Sequence, residues 1–137
     1  MIELFQRQAK SGSFGDYYKL SARRGVKVLR GYLTARREFR KLRKVGRLCP
    51  GLFPKAFGVV KTSRGFGVLI THVAGKQPAR FDSWRPLNAP TAIAKAYRRL
   101  LNAGVRWRDC ARRNTIITAA DRARFVDAGH LQFLRKK

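Results

Sequence analysis

The sequence predicts an α+β fold: a small antiparallel sheet with one helix, then a second helix and a short hairpin. Two observations carry that expectation. Strand-like and helix-like hydrophobic patterns come in that order along the chain, with glycine or proline near each change of pattern. At 137 residues, 45% hydrophobic and 11% aromatic, the chain can bury one core and is too short for two independent ones.

Residues 11–20 read Ser-Gly-Ser-Phe-Gly-Asp-Tyr-Tyr-Lys-Leu, a glycine turn entering a strand, and Val26 to Leu29 form a second strand after the turn at Arg24-Gly25. Residues 34–45 predict a helix, because Ala35, Glu38, Phe39, Leu42 and Val45 recur on one face of a 3.6-residue period. Arg36, Arg37, Arg40, Lys41, Arg43 and Lys44 surround that stripe, and Glu38, the helix's one carboxylate, points with it. A loop from Cys49 to Pro54 leads to a hairpin, Phe57 to Lys61 and Phe66 to Thr71 around a turn at Thr62-Ser63-Arg64-Gly65. Residues 72–89 read as a connector, with Gly75, Pro78 and Pro86 inside it and Pro90 just beyond. A helix from Thr91 to Asn102 carries Ile93, Tyr97, Leu100 and Leu101 on one face and stops at Gly104. The remainder predicts a loop over 105–113, a strand from Thr115 to Thr118, a turn at Ala119-Ala120-Asp121, a strand from Arg124 to Val126, and then Asp127-Ala128-Gly129.

Charge narrows the partners. The chain carries 32 Lys and Arg against 7 Asp and Glu, a formal +25, spread as 17 basic and 3 acidic side chains up to residue 70 and 15 and 4 after it. There is no separate basic tail, and the expected partner is anionic: nucleotide phosphate, nucleic acid, an acidic protein, anionic lipid or lipopolysaccharide. Apolar runs such as Val68-Leu69-Ile70 are too short to span a bilayer, and Met1 to Arg7 lack a signal peptide's apolar stretch. Cys49 and Cys110 make neither a disulfide framework nor a cysteine-rich zinc site. The expected address is the cytoplasm, or its membrane's inner face.

Several segments, taken in order, resemble the protein-kinase-like superfamily. Gly12-Ser13-Phe14-Gly15-Asp16-Tyr17-Tyr18-Lys19 is similar to its glycine-rich phosphate-covering loop, and Lys27 in Gly-Val-Lys-Val-Leu to its strand lysine. Glu38 matches the helix glutamate that pairs with that lysine. Arg108-Asp109-Cys110-Ala111-Arg112-Arg113-Asn114 resembles the catalytic loop, and Asp127-Ala128-Gly129 the metal-binding segment. Each piece alone also suits a plainer role, such as a turn glycine or a capping aspartate. Their order, over residues 10–130, is what distinguishes them.

The resemblance implies a minimal two-lobed kinase-like fold with residues 1–71 as N-lobe, 72–76 as hinge and 77–137 as a truncated C-lobe. It implies ATP and Mg2+ as cofactors. Gly12, Ser13, Phe14, Gly15, Lys27, His72 and Val73 would bind nucleotide, and Asn114 and Asp127 would hold the metal through hard oxygens. Asp109 would accept the acceptor hydroxyl's proton, Lys27 would neutralise phosphate oxygens while Glu38 positions it, and Arg113 or Arg112 would steady the developing charge. The implied activity is a kinase passing the γ-phosphate to a hydroxyl on a protein, as in serine/threonine kinases, or on a sugar or lipopolysaccharide. Its economy is that of small bacterial, lipopolysaccharide-type or phage-borne relatives.

Departures from the pattern open an alternative. Lys10 stands at the first loop glycine, Trp107 at the usual catalytic-loop histidine and Ala128 at the metal-segment phenylalanine, and ten residues follow Asp127. These fit a catalytically inactive kinase-like module that binds nucleic acid, an acidic protein or a membrane through its basic surface. A partner chain or a second copy could complete the lower half, with Trp107, Phe133 and Arg135-Lys136-Lys137 as the candidate docking surface.

Overall fold

The computed structural model describes residues 1–8, 17–78, 91–107, 114–126, 128 and 131–134. Its first half is a four-stranded antiparallel sheet in the order β1-β2-β4-β3, with β1 at Tyr17–Lys19, β2 at Arg24–Val28, β3 at Ala56–Thr62 and β4 at Gly65–Thr71. Thr62 closes the β3–β4 turn from both sides: its Oγ1 accepts from the Arg64 N–H at 3.1 Å and donates to the Gly65 carbonyl at 2.6 Å. Gly65 takes φ 122°, a conformation that side-chain-bearing residues avoid.

Between β2 and β3 lies α1, Tyr32–Leu48, longer at both ends than the apolar stripe alone implies. Arginine, lysine and leucine sustain a helix beyond the buried face, and Pro50, just past the Cys49 cap, closes it. Ala35, Glu38, Leu42 and Val45 are its buried residues, as the period requires. The second helix, α2, runs Thr91–Asn102, matching the expectation because Pro90 and Gly104 bracket it.

The second half adds two small sheets. One is the expected hairpin of β6, Thr115–Ile117, and β7, Ala123–Phe125. The other corrects the reading of 105–113 as loop: Val105–Trp107 is a strand, β5, paired antiparallel with β8, Leu131–Phe133. Three-residue strands are too short for an alternating pattern to declare them, and their pairing joins segments far apart in sequence.

One hydrophobic cluster links the sheet, both helices and the later strands, with Leu42, Val45, Val68, Ile93, Leu100, Trp107 and Phe125 among its members. Trp107 is a correction to the docking expectation. It is 1% exposed, its ring 4.4 Å from that of Phe125 and 5.6 Å from that of Phe53, so it belongs to the core. A smaller cluster of Leu4, Tyr18, Val26 and Val28 covers the other face of the sheet.

The segment after β4 is tied to the hairpin. Lys76 and Ile117 exchange backbone hydrogen bonds at 3.0 and 2.8 Å. Gly75 makes this possible, because a Cβ there would stand 2.4 Å from the Ile117 carbonyl oxygen, and its φ is 154°. Gly75→Ala is therefore expected to cost about 2 kcal/mol of stability, read as a lower midpoint in chemical denaturation.

Candidate active site

Side chains alternate along β2. Val26 and Val28 enter the small outer cluster, so Gly25 and Lys27 face the side on which α1 packs. There the Lys27 ammonium donates to Glu38 Oε2 at 3.0 Å, with the two side chains only 13% and 6% exposed. Enclosing an ion pair removes hydration from both partners, and it is tolerated where further hydrogen bonds satisfy the charged atoms. One such bond comes from the other half of the chain: the Ala128 N–H donates to the same Glu38 oxygen at 3.4 Å, across 90 positions of sequence.

The β6–β7 hairpin delivers the remaining group. Asn114, 2% exposed, stands immediately before β6, and its carbonyl accepts from the Val126 N–H at 3.1 Å. The Phe125 N–H in turn donates to the Leu52 carbonyl at 2.9 Å, fixing the hairpin against the loop that follows α1. Below lies the Trp107–Phe125–Phe53 cluster, and Tyr97 of α2 donates its hydroxyl to the Trp107 carbonyl at 3.4 Å. Two hydrogen-bonded runs, Lys27–Glu38–Ala128 and Asn114–Val126, thus build the site from two parts of the fold. Chemically it offers an anchored cation and a buried amide, the groups that phosphate oxygens and a hard divalent ion select.

Comparison with solved structures finds the same arrangement of elements. The chain superposes on the bifunctional kinase-methyltransferase WbdD with a TM-score of 0.57 at 13% identity, over 87% of this chain and 30% of that one. A crystal structure of WbdD at 2.2 Å matches with a TM-score of 0.54 at 16% identity, over 87% of this chain and 30% of WbdD. WbdD crystallised with the kinase inhibitor LY294002 matches at 0.54 and 17% identity, over 86% and 31%. The fold is protein-kinase-like. At such identities the likeness is one of fold, and the chain spans less than a third of the WbdD chain. No protein-family model and no curated protein matches the sequence.

On this kinase-like frame the site residues expected from sequence fall into two groups. Lys27 and Glu38 are hydrogen-bonded to each other, and Asn114 stands in the second run, bonded to Val126 through its backbone carbonyl. Gly12, Ser13, Phe14, Gly15, Asp109, Arg112, Arg113 and Asp127 lie outside the described residues, although both chain neighbours of Asp127, Val126 and Ala128, belong to those runs. His72 and Val73 follow β4 directly and are half-buried.

Tyr17 is the residue that sequence reasoning missed. It pairs with Lys27 in the β1–β2 register, so both side chains take the same face of the sheet. Its ring crosses Gly25, where a Cβ would stand within 2.6 Å of three atoms of the phenol. The hydroxyl lies 2.6 Å from His72 Nδ1, and the two rings stack with centroids 5.8 Å apart. Burial pushes the Tyr17 hydroxyl up to about 12, so it stays a neutral phenol at physiological pH. The side-chain-free Gly25 two residues before Lys27 is the signal that could have pointed to an occupant there.

Proposed function

We propose that this chain is an ATP- and Mg2+-dependent phosphotransferase acting on a hydroxyl acceptor. The observation that carries the reading is the enclosed Lys27–Glu38 pair, joined through Glu38 to the Ala128 N–H beside Asp127. A strand lysine held by a buried carboxylate is costly as a purely structural device, because well-packed apolar residues would serve as well. It is suited to holding a cation ready for phosphate oxygens.

In this reading Lys27 neutralises the α/β-phosphate oxygens, and the glycines Gly12 and Gly15 let the main chain approach the triphosphate. Asn114 and Asp127 are the residues that would hold Mg2+, and their amide and carboxylate oxygens are the hard donors it prefers. Bound there, the ion would draw charge from the phosphate oxygens. Asp109 orients the acceptor hydroxyl and takes its proton as the acceptor oxygen bonds to the γ-phosphorus and the bond to the β-phosphate oxygen breaks, releasing ADP. Protein hydroxyls and sugar or lipopolysaccharide hydroxyls are the acceptor classes.

The test is transfer of labelled γ-phosphate from ATP, together with ADP formation, titrated with Mg2+. The wild-type chain should show a Mg2+-dependent signal that Asp127→Ala abolishes. Equal signal from both, or none from either, would leave the inactive, anion-binding module as the reading.

Tyr17 adds a second expectation. A nucleotide with its phosphates at Lys27 and its base toward His72 must cross Gly25, where the Tyr17 ring lies. Tyr17→Ala is expected to tighten ATP binding about tenfold, the effect of removing a side chain whose withdrawn rotamer is the minor one. Titration of ATP into wild type and variant measures it directly.

A further inference from the structure

A groove bounded by the loop after α1, by α2 and by the turn end of the β6–β7 hairpin shares no residue with the network around Lys27. It encloses about 640 Å3, and Lys95, Arg99, Arg122 and Arg124 line it against a single carboxylate, Asp121. Lys95 and Arg99 are four residues apart on α2, and so neighbours on one helix face. Arg99 donates to the Pro50 carbonyl at 2.5 Å, which fixes it against the loop.

Arg124 is the informative member. Its Nε is buried and has no hydrogen-bond partner among the described residues. The residue as a whole is half-buried, and that burial lowers its guanidinium below the ordinary pKa. A buried charged donor left without an acceptor costs free energy, and native structures rarely leave one unexplained. Among the described residues no ion pair involves Lys95, Arg99, Arg122 or Arg124, and Lys27–Glu38 is the sole salt bridge.

We propose that this groove binds a phosphate-bearing ligand, its oxygens accepting from the Arg122 and Arg124 guanidinium groups with Lys95 and Arg99 completing the positive wall. Guanidinium forks match phosphate oxygens bidentately, and several cations around one hollow suit a multiply charged anion better than a carboxylate. The volume takes a diphosphate or a phosphorylated headgroup. The site stands independently of the phosphotransferase reading, although the same hairpin that carries Asn114 at one end forms the groove at the other.

The experiment is calorimetric titration of inorganic pyrophosphate into the full chain at physiological salt. The wild type should bind saturably. Arg124→Gln, and separately the exposed pair Lys95→Gln with Arg122→Gln, should weaken binding at least tenfold with melting temperatures near wild type. Arg36→Gln with Arg40→Gln, an equal charge loss on the exposed side of α1, should leave it unchanged. Binding kept in both groove variants would overturn the proposal, as would equal weakening by the α1 pair or a lack of saturation in the wild type. A parallel arm uses phosphatidylcholine vesicles with and without phosphatidic acid. Vesicle binding lost in the groove variants supports a lipid-borne phosphate, and saturable pyrophosphate binding without vesicle binding supports a soluble one.

Discussion

Lys27→Met is expected to lower phosphotransfer by about a hundredfold or more, the scale on which removal of one preorganised charge-stabilising group acts. The substitution also leaves the Glu38 carboxylate buried without its cation partner, so a loss of about 3 kcal/mol in folding stability should accompany it. Glu38→Gln separates the two effects. The amide oxygen can still accept from the Ala128 N–H, so the link to the later half of the chain survives while the lysine loses its anchor. Stability should fall by less than in Lys27→Met, and activity should still fall strongly. The double variant is the informative corner of the cycle: it should recover part of the stability lost in Lys27→Met, because no unpaired buried charge remains, and recover none of the activity. Urea denaturation and initial rates of phosphate transfer measure the two axes. If the double variant regained activity along with stability, the pair would be a structural device only.

Asp109→Asn carries the second large effect. The amide keeps the size of the side chain and loses the ability to accept a proton, so turnover should fall by about a hundredfold to ten-thousandfold. Binding of ATP should be nearly unchanged, because the role proposed for the group is on the acceptor hydroxyl rather than on the nucleotide. A fall in kcat with ATP affinity preserved supports the base assignment. Unchanged turnover would remove it, and a collapse of ATP affinity would move Asp109 to a nucleotide-binding role.

The sequence announced those features whose physics is local. Glu38 stood out as a carboxylate on the apolar stripe of Ala35, Leu42 and Val45, and the kinase-like resemblance named its partner, Lys27, which it meets at 3.0 Å. The ends of α2 were readable because Pro90 and Gly104 act within a residue or two of where they stand. What stayed hidden depends on long-range pairing. Strands β5 and β8 are three residues each and exist only through each other. The Tyr17–His72 contact spans 55 positions, and nothing in either neighbourhood names the other. Trp107 read as a surface candidate because its loop-like surroundings concealed the aromatic cluster it joins with Phe53 and Phe125.

A structure of the chain with Mg2+ and a non-hydrolysable ATP analogue tests the central claim most directly. Phosphate oxygens should lie within hydrogen-bonding reach of Lys27 Nζ, the ion should sit between Asn114 and Asp127, and the Tyr17 ring should have left its place over Gly25. Phosphates gathered on the exposed arginines of α1, with the Lys27–Glu38 pair untouched, would contradict it.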